Sequence, residues 1–110
     1  ADLSNAQMEG VNLAGADLSG ATLFGTYLHN ANLSGADLSG ATLQLANLDH
    51  ANLTGANLSG ENLRQADLTG ADFTGATLDG VQSGQGYGPP AALPAGWTWD
   101  DANGALVPPI

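Results

Sequence analysis

The sequence contains no cysteine and no lysine, and Arg64 is its only arginine. Without cysteine the chain cannot form disulfides, thiolate metal sites or a cysteine nucleophile. Eleven acidic residues give a formal net charge of −10, and such a charge repels phosphate backbones and anionic membranes. The composition therefore argues against a nucleic-acid partner.

Aromatic residues are also scarce, although 43% of the residues are hydrophobic. Most of the apolar residues are Leu or Ala, whereas a globular core normally needs varied shapes that interdigitate. This uniformity predicts one packing layer that is used repeatedly. No apolar run approaches the roughly 20 residues of a membrane span, so we expect no membrane insertion.

A five-residue repeat runs through residues 1–80 without an insertion. The third residue is Leu in fourteen of the sixteen repeats, and the first is Ala in thirteen. An α-helix would spread these leucines around every face, and a flat strand would alternate them between two faces. Neither element suits a period of five.

A chain that makes a quarter turn in every repeat does suit it. Ala and Leu then point inward together because residues two apart share a face, and the fifth residue, usually Gly, lies at a corner. Four repeats close one square coil, and coils stack at the strand spacing of about 4.8 Å. The sequence thus predicts an all-β solenoid of about four coils. One predicted core ladder contains Leu13, Leu33, Leu53 and Phe73.

The motif A(D/N)LXX, as in ADLSG and ANLTG, resembles the pentapeptide-repeat family. The resemblance covers residues 1–80 and implies a right-handed quadrilateral parallel β-helix. The best-studied members of that family are DNA-mimicking inhibitors that bind DNA gyrase and confer quinolone resistance. Many other members, abundant in cyanobacteria, have no assigned role, so the resemblance implies a fold rather than one function.

The period ends at Val81, and we expect residues 81–110 to form a Gly/Pro-rich linker and a Trp-containing tail or hairpin. Two interpretations of Trp97 and Trp99 stay open. The tail caps the last coil of its own chain, or it contacts a neighbouring subunit. The first coil has no comparable cap, and its open strand edges favour association.

Positions four repeats apart lie above one another in such a coil, so faces follow from the sequence. Phe24 and Leu45, with Tyr27 around the corner, form the only predicted outward apolar cluster on the shaft. Three exposed apolar side chains close together are a candidate interaction surface. The columns of Asn and Asp on other faces predict side-chain hydrogen bonds along the stack.

Glu9, His29 and Asp49 share another column, and His50 lies at the adjoining corner. Such a column could bind a divalent metal, but we favour a solvated ladder and expect no stoichiometric Zn²⁺ or Ni²⁺ at these three residues. No nucleophile accompanies them, and a convex rod lacks a pocket. We therefore expect no enzymatic activity and no cofactor.

Glu61 occupies an Ala position, where an ionised carboxylate is costly unless it is paired. We expect either a structural pair with Arg64, the only cation nearby, or a local outward bulge. The repeat is already in phase at Ala1, which suggests a processed end and favours an exported compartment.

Three functions are compatible with the sequence. The first is a structural or assembly protein that self-associates through the ends of the rod, as a dimer or a head-to-tail filament. The second is a DNA mimic that inhibits a DNA-binding enzyme such as gyrase, because residues 1–80 carry nine acids and one Arg. The third is an adaptor that binds another protein through Phe24, Tyr27 and Leu45.

Overall fold

The computed structural model describes residues 2–110. Its backbone is organised by a ladder of parallel bridges, and each bridge joins one repeat to the fourth repeat after it. The second residue of each repeat forms the bridge, as in Asn12 with Asn32 and Asn32 with Asn52. Because four consecutive repeats pass before the chain returns to the same side, each coil has four sides. We number the coils accordingly: residues 2–20, 21–40, 41–60 and 61–80. The predicted start at Ala1 lies outside the described residues.

On most sides, three backbone hydrogen bonds join one coil to the next. Between coils 2 and 3, for example, Leu33 N donates to Asn52 O at 2.7 Å, and Gly35 N to Thr54 O at 2.9 Å. In the opposite direction, Asn52 N donates to Ala31 O at 2.9 Å. Parallel pairing thus supplies partners for most buried backbone groups without any long strand.

Every fifth residue from Asn5 to Gln85 has a positive φ, between 56° and 72°. Glycine occupies most of these corners because it adopts the left-handed region without steric cost. Leu45 is the one aliphatic side chain among them, with a φ of 63°.

Asn and Asp at the second position of a repeat close the turn within that repeat. Asn52 Oδ1, for instance, accepts from the backbone N–H of Thr54 at 3.0 Å and from its hydroxyl at 2.7 Å. This bond satisfies the N–H of the fourth residue, which the ladder does not use; the first residue's N–H donates within the coil instead, as from Ala51 N to Leu48 O.

The predicted bonding along the stack is therefore wrong for the Asn and Asp columns that contain Asn12 and Asp17, whose side chains accept from two residues ahead instead. Asn62, on the face of Phe24, does donate from Nδ2 to Gln44 Oε1 at 3.4 Å.

The core consists of the inward Leu and Ala columns of coils 2 to 4. Of the predicted core ladder, Leu33, Leu53 and Phe73 have no exposed surface. Leu13 is only partly buried, because no coil precedes its own within the described residues. Uniform burial of Leu is what makes the layers interchangeable.

Backbone pairing with the same offset continues beyond Gly80. Gln82, Tyr87 and Ala92 pair with Asn62, Asp67 and Asp72, so three sides of coil 4 are covered by the segment that follows it. The chain then forms a hairpin of β1, Thr98–Asp100, and β2, Ala105–Val107, which are antiparallel. None of the described residues belongs to a helix long and apolar enough to cross a membrane.

Candidate functional site

The two ends of the rod differ in how their backbone groups are satisfied. In coil 1 the N–H groups of Gln7, Asn12 and Asp17 point away from coil 2 and have no partner among the described residues. The apolar side chains of this coil are only partly buried. We call the outward backbone groups of residues 2–20 the N-terminal edge. An unpaired strand edge beside apolar side chains is a template for pairing with another chain.

At the other end, the hairpin turn bonds to the chain that follows coil 4. Gln85 N donates to Asn103 O at 2.7 Å and Gly86 N to Gly104 O at 3.1 Å. Leu106 is buried in the same cluster as Phe73 and Leu78. Coil 4 therefore has backbone partners within the chain on three sides, whereas the outward N–H groups of Leu78 and Gly80, on the fourth side, have none among the described residues.

Trp97 and Trp99, both predicted as interaction residues, are partly buried and pack against the core of their own chain. The Trp99 ring lies against the backbone of Gly88, where an added Cβ would approach within 2.6 Å of it. Its Nε1 donates to Asp101 Oδ1 at 3.2 Å. The indoles retain exposed surface, so this packing leaves room for a second contact.

A cavity of about 370 Å³ lies between the C-terminal tail and the fourth side of coil 4, the side that has no backbone bridge to the following chain. Its lining combines Asp79, Gly80 and Val81 with Trp97, Leu106, Pro108 and Pro109. It contains one carboxylate and no nucleophile or imidazole, which gives it no arrangement for catalysis.

Phe24, Tyr27 and Leu45, which we call the apolar patch, are 38%, 46% and 46% exposed. Gly25 N donates to Gln44 O at 3.0 Å, which sets Phe24 beside Leu45 on adjacent coils. Tyr27 follows the corner at Gly25. The three residues predicted as a surface cluster thus lie near one another and project to solvent.

Leu45 is held in an unfavourable backbone conformation, so we expect Leu45→Gly to raise the stability of the rod. The left-handed region costs a non-glycine residue about 1–2 kcal/mol, and part of that gain is offset by the greater freedom of glycine in the unfolded chain. A rise in melting temperature measured by circular dichroism would agree with this. Gly35→Leu is the matched reverse change, because Gly35 has a φ of 65° and open space for a side chain; it should lower the melting temperature. A lower melting temperature for Leu45→Gly would mean that its side chain contributes packing that outweighs the strain.

A second candidate site, which we call the histidine cluster, consists of His29, Asp49 and His50. One possible ligand atom from each residue lies within 4.8 Å of the other two, and among residues 2–110 no other three His, Cys, Asp or Glu side chains come this close. Asp49 Oδ2 lies 3.2 Å from His29 Nδ1, and Asp49 Oδ1 lies 2.5 Å from His50 Nδ1. Glu9, the third member of the column predicted from the sequence, does not belong to the group. His50 takes its place because the corner conformation turns its side chain back toward Asp49.

Glu61 has no exposed surface, and both of its carboxyl oxygens lack a hydrogen-bond partner. Arg64 instead donates from Nη1 to Gln82 Oε1 at 2.7 Å on the outside of the coil. The predicted Glu61–Arg64 pair and outward bulge are therefore both wrong: the first position of a repeat points inward and the fourth points outward. Removal from water raises the pKa of Glu61 to about 8, although the N–H groups of Leu43 and Asn62 near the carboxyl oppose this.

Comparison with known proteins agrees with the geometry. The family model of pentapeptide repeats matches residues 1–40 and 46–81 with eight copies. The unmatched repeat, 41–45, ends in Leu45. No curated protein sequence matches the chain significantly.

Solved structures of other pentapeptide-repeat proteins are similar to this one, and three of them illustrate the range. The pentapeptide-repeat protein Rfr23 from the cyanobacterium Cyanothece 51142 is 39% identical, with a TM-score of 0.80, over 84% of this chain and 63% of its own. A pentapeptide-repeat protein from the Arabidopsis thaliana thylakoid lumen is 41% identical, with a TM-score of 0.56, over 70% of this chain and 57% of its own. QnrB1, a plasmid-mediated fluoroquinolone resistance protein, is 25% identical, with a TM-score of 0.60, over 73% of this chain and 41% of its own.

The chain spans less than two thirds of the length of each of these three proteins. The fold of this family is a right-handed β-helix. Family members are generally non-enzymatic. The family model matches the repeats over most of the chain, and every fourth repeat closes a coil. The chain therefore belongs to the pentapeptide-repeat family.

Proposed function

We propose that this protein is a non-enzymatic structural module that self-associates through the N-terminal edge of its β-helix. The observation that carries the proposal is the difference between the ends. On each side of coil 1, one N–H and two C=O groups point away from the rod, next to half-exposed apolar side chains such as Leu13 and Leu18. Water satisfies such groups poorly beside apolar surface, so a second copy that pairs with them is favourable.

The association we propose is a closed two-fold dimer. The C-terminal segment, residues 81–110, acts as a cap in this proposal, because it pairs with three sides of coil 4 and its hairpin bonds to Gln85 and Gly86 beyond them. With one end capped, only two N-terminal edges are left to meet, and identical surfaces that meet form an isologous contact. A head-to-tail filament is the alternative. It requires the C-terminal segment to leave its own coil or to offer Trp97 and Trp99 to a neighbour.

A fusion experiment tests the edge. A bulky folded domain placed before Ala1 should prevent association and leave the coil intact, whereas the same domain placed after Ile110 should permit it. Light scattering gives the mass in solution and circular dichroism checks the fold. A parent chain that is monomeric at all concentrations would contradict the proposal. If the first fusion associates like the parent, the apolar patch becomes the leading interface.

A point substitution makes the same test without added bulk. Gln7→Pro removes an outward N–H that has no partner in the described part of the chain, and proline blocks edge pairing for this reason. Gln7→Ala keeps the N–H and is the matched control. We expect the proline variant to associate more weakly than the alanine variant. Equal association would mean that ladder pairing does not form the contact.

Two other functions have their own support. A DNA mimic is favoured by similarity to QnrB1 and by the acidic surface, where Asp17 stacks on Asp37. The described chain extends over 34 Å, which is about ten base pairs at 3.4 Å each, so in this proposal two copies would act together as a dimer. An adaptor role is favoured by the exposure of the apolar patch. The lumenal relative supports an exported compartment.

A further inference from the structure

We propose that the histidine cluster is a surface site for a divalent transition-metal ion of the Zn²⁺ type. This site is independent of the N-terminal edge, because its residues lie in coils 2 and 3. Imidazole and carboxylate are suitable ligands for zinc, nickel, copper and cobalt. The set of two histidines and one aspartate leaves coordination positions open for water or an incoming group.

The distances between the ligand atoms favour a shared ion. One atom from each of His29, Asp49 and His50 lies within 4.8 Å of the other two. Zinc binds imidazole nitrogen at about 2.0–2.1 Å and carboxylate oxygen at about 2.0–2.2 Å, so two ligands on one ion stand up to about 4 Å apart. Small rotations of exposed side chains bring the three atoms into that range.

The orientation of Asp49 toward His50 is a second, separate observation. Asp49 Oδ1 is buried and has no hydrogen-bond partner, although His50 Nδ1 is only 2.5 Å away. The two atoms are therefore close without the alignment of an N–H···O bond. At zinc–ligand distances of about 2.0–2.2 Å and a tetrahedral angle, two ligand atoms of one ion stand about 3.3 Å apart, so a small opening of the Asp49–His50 contact would let both atoms bind one cation. That cation would give Asp49 Oδ1 the partner that it lacks.

The fold holds the three side chains in place. His50 is at a corner with a φ of 58°, and its ring lies against Gly70 in the next coil, where a Cβ would approach within 2.7 Å. The His29 and His50 rings stand edge to face, with interplanar angle 87° and centroids 6.2 Å apart. Asn30 Nδ2 lies 3.0 Å from His29 Nε2. With the Asn30 side-chain amide flipped, its oxygen accepts from His29 Nε2–H, and His29 Nδ1 is then free to bind a metal.

The site differs from the column in which we expected no metal. That expectation concerned Glu9, His29 and Asp49, which contribute one imidazole. In the structure the group contains His50, a second imidazole, and not Glu9. Imidazole is the commonest metal ligand among side chains. Because His29 belongs to coil 2 and the other two residues to coil 3, a bound ion would join adjacent coils.

Zinc titration of the untagged, chelator-treated protein tests the proposal. Isothermal calorimetry should give one Zn²⁺ per chain, with His29→Asn and His50→Asn each weakening binding by more than about tenfold. Asparagine suits position 50 because it tolerates a positive φ. Glu9→Gln is the matched control in the neighbouring coil and should bind zinc like the parent. Circular dichroism without metal confirms that each variant is folded.

A second measurement identifies the ligands directly. On addition of Zn²⁺, the imidazole resonances of both histidines should shift together and saturate at one equivalent. Zinc should also raise the melting temperature of the parent but not of His50→Asn, since only a folded site binds the ion. Absence of binding, or binding that survives loss of both histidines, would overturn the proposal.

Discussion

Leu48→Asp is expected to unfold the entire rod under conditions in which the parent is fully folded. Leu48 has no exposed surface, and its column neighbours, Leu28 and Leu68, are buried as well. An unpaired carboxylate there costs more than about 4 kcal/mol, a large part of the stability of an ordinary domain. Because each coil is stabilised only by its neighbours, the loss spreads along the stack. Circular dichroism at physiological temperature should show the loss of the native spectrum.

The matched control is Met8→Asp, which lies in the same column but in coil 1, at the described end of the rod. Met8 is partly exposed, so the new carboxylate reaches water and the damage should be limited to coil 1. Asn52→Ser, on the outer surface, should cost less than about 1 kcal/mol. If Leu48→Asp melted at the temperature of the parent, the inward direction of the third position would be refuted.

Glu61→Gln should raise the stability of the rod at alkaline pH and remove most of its dependence on pH between about 4.5 and about 8. The folded-state pKa of Glu61 is raised to about 8 from its ordinary value of 4.5. Below pH 4.5 the group is protonated in both states and its ionisation costs nothing. As the pH rises, the unfolded chain releases the proton first and is stabilised, so the folded state loses stability until about pH 8.

The loss corresponds to on the order of 4–5 kcal/mol, at about 1.4 kcal/mol for each pH unit. Denaturant unfolding of the parent and of Glu61→Gln at pH 5 and pH 8 measures it. The two proteins should differ little at pH 5 and most at pH 8. Asp72→Asn is a suitable comparison, because hydrogen bonds from the hydroxyl and N–H of Thr74 lower the pKa of Asp72. Its effect should therefore be on the acid side. Equal pH profiles for the parent and Glu61→Gln would mean that Glu61 ionises freely in the folded protein.

Periodicity made the fold accessible from the sequence alone. A period of five is incompatible with a helix or a flat strand, and the inward columns follow from it by residue counting. The apolar patch followed in the same way, because Phe24 and Leu45 differ in position by one coil and one residue. Continuation of the ladder to Ala92 could not be inferred, since Gln82 and Tyr87 pair through backbone atoms while their repeats lack the Leu and Gly of the motif.

Side-chain direction at corners and bonds within a turn were harder to foresee. In the sequence, His50 lies outside the column of Glu9, His29 and Asp49, because the fifth position of a repeat is expected at a turn. The positive φ at this corner, however, places the His50 side chain beside the carboxylate of Asp49. In the same way, the role of Asn52 depended on a bond within its own repeat, where the sequence suggested a bond to the next coil.

The constant offset of four repeats between paired positions has a consequence for changes in chain length. Removing residues 41–60 would join coil 2 directly to coil 4 with every column still in register. Removing a single repeat would rotate everything that follows by a quarter turn, and the hairpin would then project from a different side than it does now. The rod can therefore be lengthened or shortened without changing the angle between its two ends only if whole coils are added or removed. Each coil corresponds to a block of coding sequence of fixed length.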